Sequence, residues 1–223
     1  MKSTGLESLT DKELVALIRE TSHNPFLIGT YSLFVEKDFF GNSNRYYSLD
    51  GKNKDYFEVI RAHLIGKRVV ELGAGANVRE HRRVLKELFG VRKYIGVDLA
   101  AYEGCIESDA LLFLGGQNKD SSICLAFGFL NEPIFGKAFG PQSPELTRIR
   151  DEYTRRLAKE IYRVTIPEGI FFGNGIDVRM GNHLERAGFE NYRIKQLPPH
   201  LRGLWQSFPF IFRKGDREAE DGS

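Results

Sequence analysis

Two cysteines, Cys105 and Cys124, are too few for a disulfide framework, and neither stands in a CxxC or Cys/His spacing suited to zinc. That excludes a small stapled secreted domain and a metal module, and it fits a reducing cytoplasm. Long apolar runs are lacking as well: nothing approaches the roughly 20 residues of a membrane span. The N-terminal MKSTGLESLTDKELV carries Glu7, Asp11 and Glu13 where a secretory signal needs an uninterrupted apolar region, so a soluble cytoplasmic protein with no membrane partner is expected. Nor does one sign of charge dominate. With 32 Lys and Arg against 30 Asp and Glu, the formal charge is +2, which permits a nucleic-acid partner without asking for one.

What is present is an ordinary globular composition, 41% hydrophobic and 28% charged over 223 residues, enough for one sizeable core. Thr10 and Glu13 form a capping-box pattern ahead of Leu14, Leu17 and Ile18, which predicts a helix to about Ser22, before Pro25. From Phe26 to Asn53 the chain is rich in aromatics and turn residues, as a packed extension or a lid would be. Asp55 to Leu64 reads as a helix with Phe57, Ile60 and Leu64 inward and Gly66 as its stop.

The period then changes. Arg68 to Leu72 is short and largely apolar, as a parallel strand covered on both faces should be, and it runs into glycine. Val78, His81, Val84, Leu85 and Leu88 follow at helical spacing up to Gly90, and Lys93 to Val97 is a second strand ending on Asp98. Strand, glycine turn, helix and strand make a βαβ unit. The alternation continues with a weak strand at Ile106, a fourth at Ile123 to Phe127, a long helix over Pro144 to Thr165 and a fifth strand at Gly169 to Phe172. A short helix at Gly181 to Ala187, a sixth strand at Tyr192 to Leu197 and a seventh at Phe208 to Phe212 complete the series. One domain over residues 1–213 is expected, with 1–53 as extension or lid, 54–213 as core and a disordered charged tail from Lys214.

Glycine at a strand-to-helix turn allows close approach of a ligand to backbone, and the helix beyond offers unpaired N–H groups. Gly73 and Gly75 stand there, although a plain tight turn also favours glycine. Asp98, some 20 residues further on, is placed for ribose hydroxyls or, alternatively, to cap a turn. A dinucleotide fingerprint needs a third glycine or alanine, and Val78 occupies that position.

Glu71 to Asn77, E-L-G-A-G-A-N, resembles the first motif of the class I (Rossmann-like) S-adenosylmethionine-dependent methyltransferases, with Asn77 for the third glycine. Ser108-Asp109-Ala110 looks like the segment after that family's third strand. Leu157 to Phe172, LAKEIYRVTIPEGIFF, is similar to the approach to its fifth strand, with Thr165 and Glu168 substituted, and Arg186-Ala187-Gly188-Phe189 resembles the turn before its sixth. Together these span Lys67 to Phe212 in order. Ser122 stands where many members carry Asp.

The resemblance implies an α/β fold: a three-layer sandwich around a seven-stranded, mostly parallel sheet of order 3-2-1-4-5-7-6 with strand seven antiparallel. It implies S-adenosyl-L-methionine held by Glu71, Gly73, Ala74, Gly75, Asp98, Leu99, Asp109, Ala110 and Ala126, with no metal, and methyl transfer to a small or medium-sized acceptor. An NAD(P)-dependent oxidoreductase and a non-catalytic binding protein of the same fold are the alternatives.

Candidate chemistry lies beyond the fourth strand, where Asn131 and Glu132 could touch an acceptor or simply cap the strand. The D/N-P-P-Y/F tetrapeptide of adenine amino-methyltransferases is absent. His81 shares its helix's apolar stripe, so it reads as a packed, hydrogen-bonded histidine. His183 is a catalytic candidate or a surface residue of a short helix. Arg148, Arg150, Arg155, Arg156, Lys159 and Arg163 stud the long helix among Glu145, Asp151, Glu152 and Glu160, which reads as a solvated face.

Overall fold

The computed structural model describes residues 5–21, 56–75, 78–127, 144–174, 178–192 and 209–215. Its helices are α1 (Asp11–Thr21), α2 (Tyr56–Leu64), α3 (Val78–Glu87), α4 (Ala110–Gly115), α5 (Pro144–Val164) and α6 (Val178–Arg186). Its strands are β1 (Arg68–Leu72), β2 (Lys93–Asp98), β3 (Cys105–Glu107), β4 (Ile123–Phe127), β5 (Ile170–Asn174), β6 (Phe189–Asn191) and β7 (Pro209–Lys214). They form one sheet in the order β3-β2-β1-β4-β5-β7-β6. The first five run parallel, and β7 is antiparallel to both β5 and β6. This is the order and direction of the class I methyltransferase fold, as the resemblance implied.

Strand alternation sends neighbouring side chains to opposite faces, and each face is covered by helices. Val69, Ile123, Leu125, Ile170 and Phe172 pack with Ile60 and Leu64 of α2 and Val84 and Leu85 of α3. Val70, Leu72, Cys124, Ala126 and Phe171 pack on the other side with α1, α4, α5 and α6. The N-terminal helix is part of this second layer: Leu14 and Val15 are buried in its core. Its start is fixed by the predicted capping box, in which the Glu13 carboxylate accepts from Thr10 N and Oγ1, both at 2.7 Å, and Thr10 Oγ1 accepts from Glu13 N at 3.3 Å.

Several expectations need correction. The sixth strand is Phe189–Asn191, earlier than Tyr192 to Leu197, because the buried Phe189 sets the register, pairing with Lys214 of β7. Residues 193–197 of that expectation lie outside the described residues, as does the aromatic segment from Phe26 to Asn53. Leu88 falls past the end of α3 and is exposed. Lys214, expected to open the tail, closes β7 with its Nζ donating to Asp120 Oδ1 and to the carbonyls of Tyr162 and Thr165.

The long helix also carries more than a solvated face. Arg156 reaches the carbonyls of Leu6, Glu7 and Leu9 and the carboxylate of Asp11, tying the N-terminal segment down, and Arg163 holds the carbonyls of Leu114 and Gln117. Arg150 and Glu152 are buried. Charge periodicity alone cannot tell solvent from a neighbouring element, and here α1, α4 and α6 occupy the space.

Candidate active site

β1 runs straight into the glycine turn. Gly73 and Gly75 adopt φ of +72° and +61°, the left-handed region that favours glycine. The turn is fastened to β2: Val97 O accepts from Gly73 N at 2.8 Å and from Ala74 N at 3.1 Å. Asp98 completes the stitching, its Oδ2 accepting from Gly75 N at 2.9 Å and its Oδ1 from Ala100 N at 3.0 Å. Each carboxylate oxygen thus accepts one backbone N–H and keeps further lone-pair capacity, on a side chain that is only half-buried. Among the described residues, a Cβ placed on Gly75 would meet nothing within 4 Å.

Glu71, expected at a ligand, is fully buried beneath the turn. Its Oε1 lies 2.6 Å from His81 Nδ1, and its Oε2 accepts from the Tyr94 hydroxyl. Three elements meet at this carboxylate: β1, α3 and β2. Burial would lower the His81 pKa, but the charge of Glu71, its hydrogen bond and the nearby Glu80 outweigh that and raise it above its ordinary value. Burial and then Glu71 push the Tyr94 hydroxyl well up. Gly96 makes the arrangement possible, since a Cβ there would sit 2.5 Å from Val78 Cγ2, 3.0 Å from Ala74 Cβ and 3.2 Å from Tyr94 Oη. His81 is the hydrogen-bonded core histidine that its stripe predicted. Tyr94 was not foreseen, although a tyrosine two residues before a glycine that pairs with Glu71 is a readable signal.

Asp109 is buried too, and its carboxylate caps α4 by accepting from Leu111 N and Leu112 N at 2.9 and 3.4 Å. The Tyr153 hydroxyl of α5 donates to both its oxygens at 3.2 and 3.1 Å. Leu99 and Ala110 follow directly on Asp98 and Asp109, and Ala126 lies near the end of β4 beside β1. The expected donor-site residues thus gather along one edge, the C-terminal ends of β1 to β4. Of them, Asp98 offers a half-buried carboxylate, whereas those of Glu71 and Asp109 are buried. Ser122 stands at the opposite end of β4, its Oγ accepting from Arg68 Nη1.

His183 is buried between α5 and α6 with its Nε2 3.0 Å from Asp151 Oδ1, so it has a helix–helix partner. Asn77, Asn131 and Glu132 lie outside the described residues. Burial and then the Asp98 charge push the Cys105 thiol up to about 11, and burial pushes Cys124 up to about 12, so neither is a thiolate nucleophile near neutral pH. Among the described residues there is no His, Cys, Asp and Glu cluster fit for a metal ion, and no helix long and apolar enough to cross a membrane.

No family model matches the chain, and no curated protein matches it in sequence. Solved structures similar to it include a SAM-dependent methyltransferase from Archaeoglobus fulgidus, 14% identical, with a TM-score of 0.44 over 70% of this chain and 94% of that one. Another is the 1,6-didemethyltoxoflavin-N1-methyltransferase of Burkholderia thailandensis with bound 1,6-didemethyltoxoflavin and S-adenosylhomocysteine, 16% identical, TM-score 0.43, covering 71% and 76% of the two chains. A third is phosphoethanolamine N-methyltransferase 2 of Haemonchus contortus in complex with S-adenosyl-L-methionine, 14% identical, TM-score 0.38, covering 57% of this chain and 35% of that one.

Proposed function

We propose that this chain is an S-adenosylmethionine-dependent methyltransferase acting on a small or medium-sized acceptor. The observation that supports this most is the stitched turn, in which Asp98 holds Gly75 N and Ala100 N while no described residue crowds Gly75. A carboxylate fixed at the end of β2 can accept from both hydroxyls of a ribose. Gly73 and Gly75 let the ligand approach backbone, and the buried Glu71, His81 and Tyr94 keep the turn rigid from below. Bound S-adenosylmethionine would supply an electrophilic methyl group, for which positioning of the acceptor is the main demand on the protein.

Val78 separates this reading from a dinucleotide enzyme. In the dinucleotide fingerprint the third small residue lets helix and strand pack closely. Here Val78 is itself buried on α3, and the small residue needed for that contact is Gly96 on β2.

Calorimetric titration of the wild type and Asp98→Ala with S-adenosylmethionine, NAD and NADP tests the proposal. Wild type should bind S-adenosylmethionine alone, and Asp98→Ala should weaken binding by about tenfold or more, the worth of a lost hydrogen bond to a charged group. Absence of S-adenosylmethionine binding at millimolar concentration in the wild type overturns it.

A further inference from the structure

Arg150 stands in the second turn of α5 and is only 3% exposed, yet among the described residues neither its Nε nor its Nη1 has a hydrogen-bond partner. A buried cation without an anion is among the costliest features a fold can carry. The carboxylates beside it are committed elsewhere: Asp151 to His183, and Glu152 to Arg155 and Arg156 at 2.6 and 2.7 Å. The charge that does act on it is of its own sign. Burial and then Arg179, in the first turn of α6, hold its guanidinium below the ordinary arginine value.

Topology says where these charges stand. α5 descends from the C-terminal edge of the sheet to feed the parallel β5, and α6 descends from the same edge after β5, so both helices begin there. A helical side chain leans toward its own N-terminus, which carries the Arg150 guanidinium toward that edge and toward Arg179. The first turn of α6 adds the positive end of its dipole. Two arginines and a helix start converge on the edge where open α/β sheets bind ligands, beyond β4 and β5 rather than at the Asp98 end.

We infer that Arg150, with Arg179, binds an anionic group of the acceptor, a carboxylate or a phosphate. The word acceptor rests on the methyltransferase reading; the anion site does not. An oxyanion would give Arg150 the charge-assisted hydrogen bonds that the described residues do not, and it would offset the repulsion from Arg179. Arg150 is thereby a specificity-determining residue of the acceptor side.

The test compares the full chain with Arg150→Met and Arg179→Ala in thermal melts with sodium acetate, sodium phosphate or sodium chloride at matched ionic strength, alongside a titration with S-adenosylhomocysteine. In the wild type, acetate or phosphate should raise Tm by a few degrees over chloride, and whichever acts identifies the anion. Arg150→Met should abolish the rise, Arg179→Ala should reduce it, and in chloride Arg150→Met should melt no lower than the wild type. S-adenosylhomocysteine should bind the wild type and Arg150→Met alike. The inference is overturned if neither anion acts on the wild type, if Arg150→Met keeps the rise, or if Arg150→Met melts well below the wild type in chloride. S-adenosylhomocysteine binding without an anion effect would leave the methyltransferase reading standing and remove this inference. An anion effect without S-adenosylhomocysteine binding would do the reverse.

Discussion

Glu71 and Arg150 are both ionisable side chains taken almost wholly out of water, on opposite faces of one sheet. Glu71 has two partners from two elements, His81 and Tyr94, whereas Arg150 has unpartnered nitrogens and a like charge nearby. The β1–β2 side, with its glycine turn, is therefore built from the chain's own groups before any ligand arrives. The α5–α6 side is left one anion short. Under the proposed function, the methyl donor would meet preformed ground and the acceptor would be read by what the protein lacks.

Substitution should expose that contrast in the most visible way. Glu71→Leu leaves His81 and Tyr94 without their acceptor, and breaking a buried pair by removing one member costs roughly 3–5 kcal/mol. Arg150→Met, removing a charge that has no pair, should stay within about 0.5 kcal/mol of the wild type or gain stability. Urea unfolding of the two variants against the wild type measures both. Equal losses would mean that Arg150 is as well partnered as Glu71, and the contrast would fall.

The same contrast has a pH signature. The folded protein holds the His81 proton more tightly than the unfolded chain does, because Glu71 and Glu80 face it. Its contribution is then fully present below the ordinary histidine value of 6.5 and is lost as pH rises through the higher folded value. Urea midpoints taken from about pH 5.5 to about pH 9 should fall across that window in the wild type, and His81→Gln should flatten the fall. An unchanged slope in His81→Gln would remove His81 from the account.

The fold was largely legible because its signals are local. β1 is an apolar run stopped by glycine, α1 carries its own capping box, and the long helix begins at Pro144 and ends before Pro167. β6 was misplaced because three residues give almost no period, and its register comes from β7, some 20 residues away. In the site, the glycine turn after β1 and the place of Asp98 at the end of β2 were legible from spacing. The work of Glu71 and Asp109 was not, since an acidic residue at a strand end looks the same whether it faces a ligand or a buried tyrosine. Arg150 was hidden for a related reason: its helix alternates charge as a solvated helix does, and its burial comes from elements packed around α5 that the charge pattern does not show.

The smallest effect concerns α1, which the sequence placed in an extension or lid and which packs on α4 and α5. Thr10→Ala removes the hydroxyl that caps Glu13 N and should cost about 1 kcal/mol. Because α1 lies on the layer of Arg150, across the sheet from α3, S-adenosylhomocysteine affinity should not change with it. A loss of affinity alongside that small loss of stability would instead make α1 a cover for the cofactor ground, and the β1–β2 side would no longer be complete by itself.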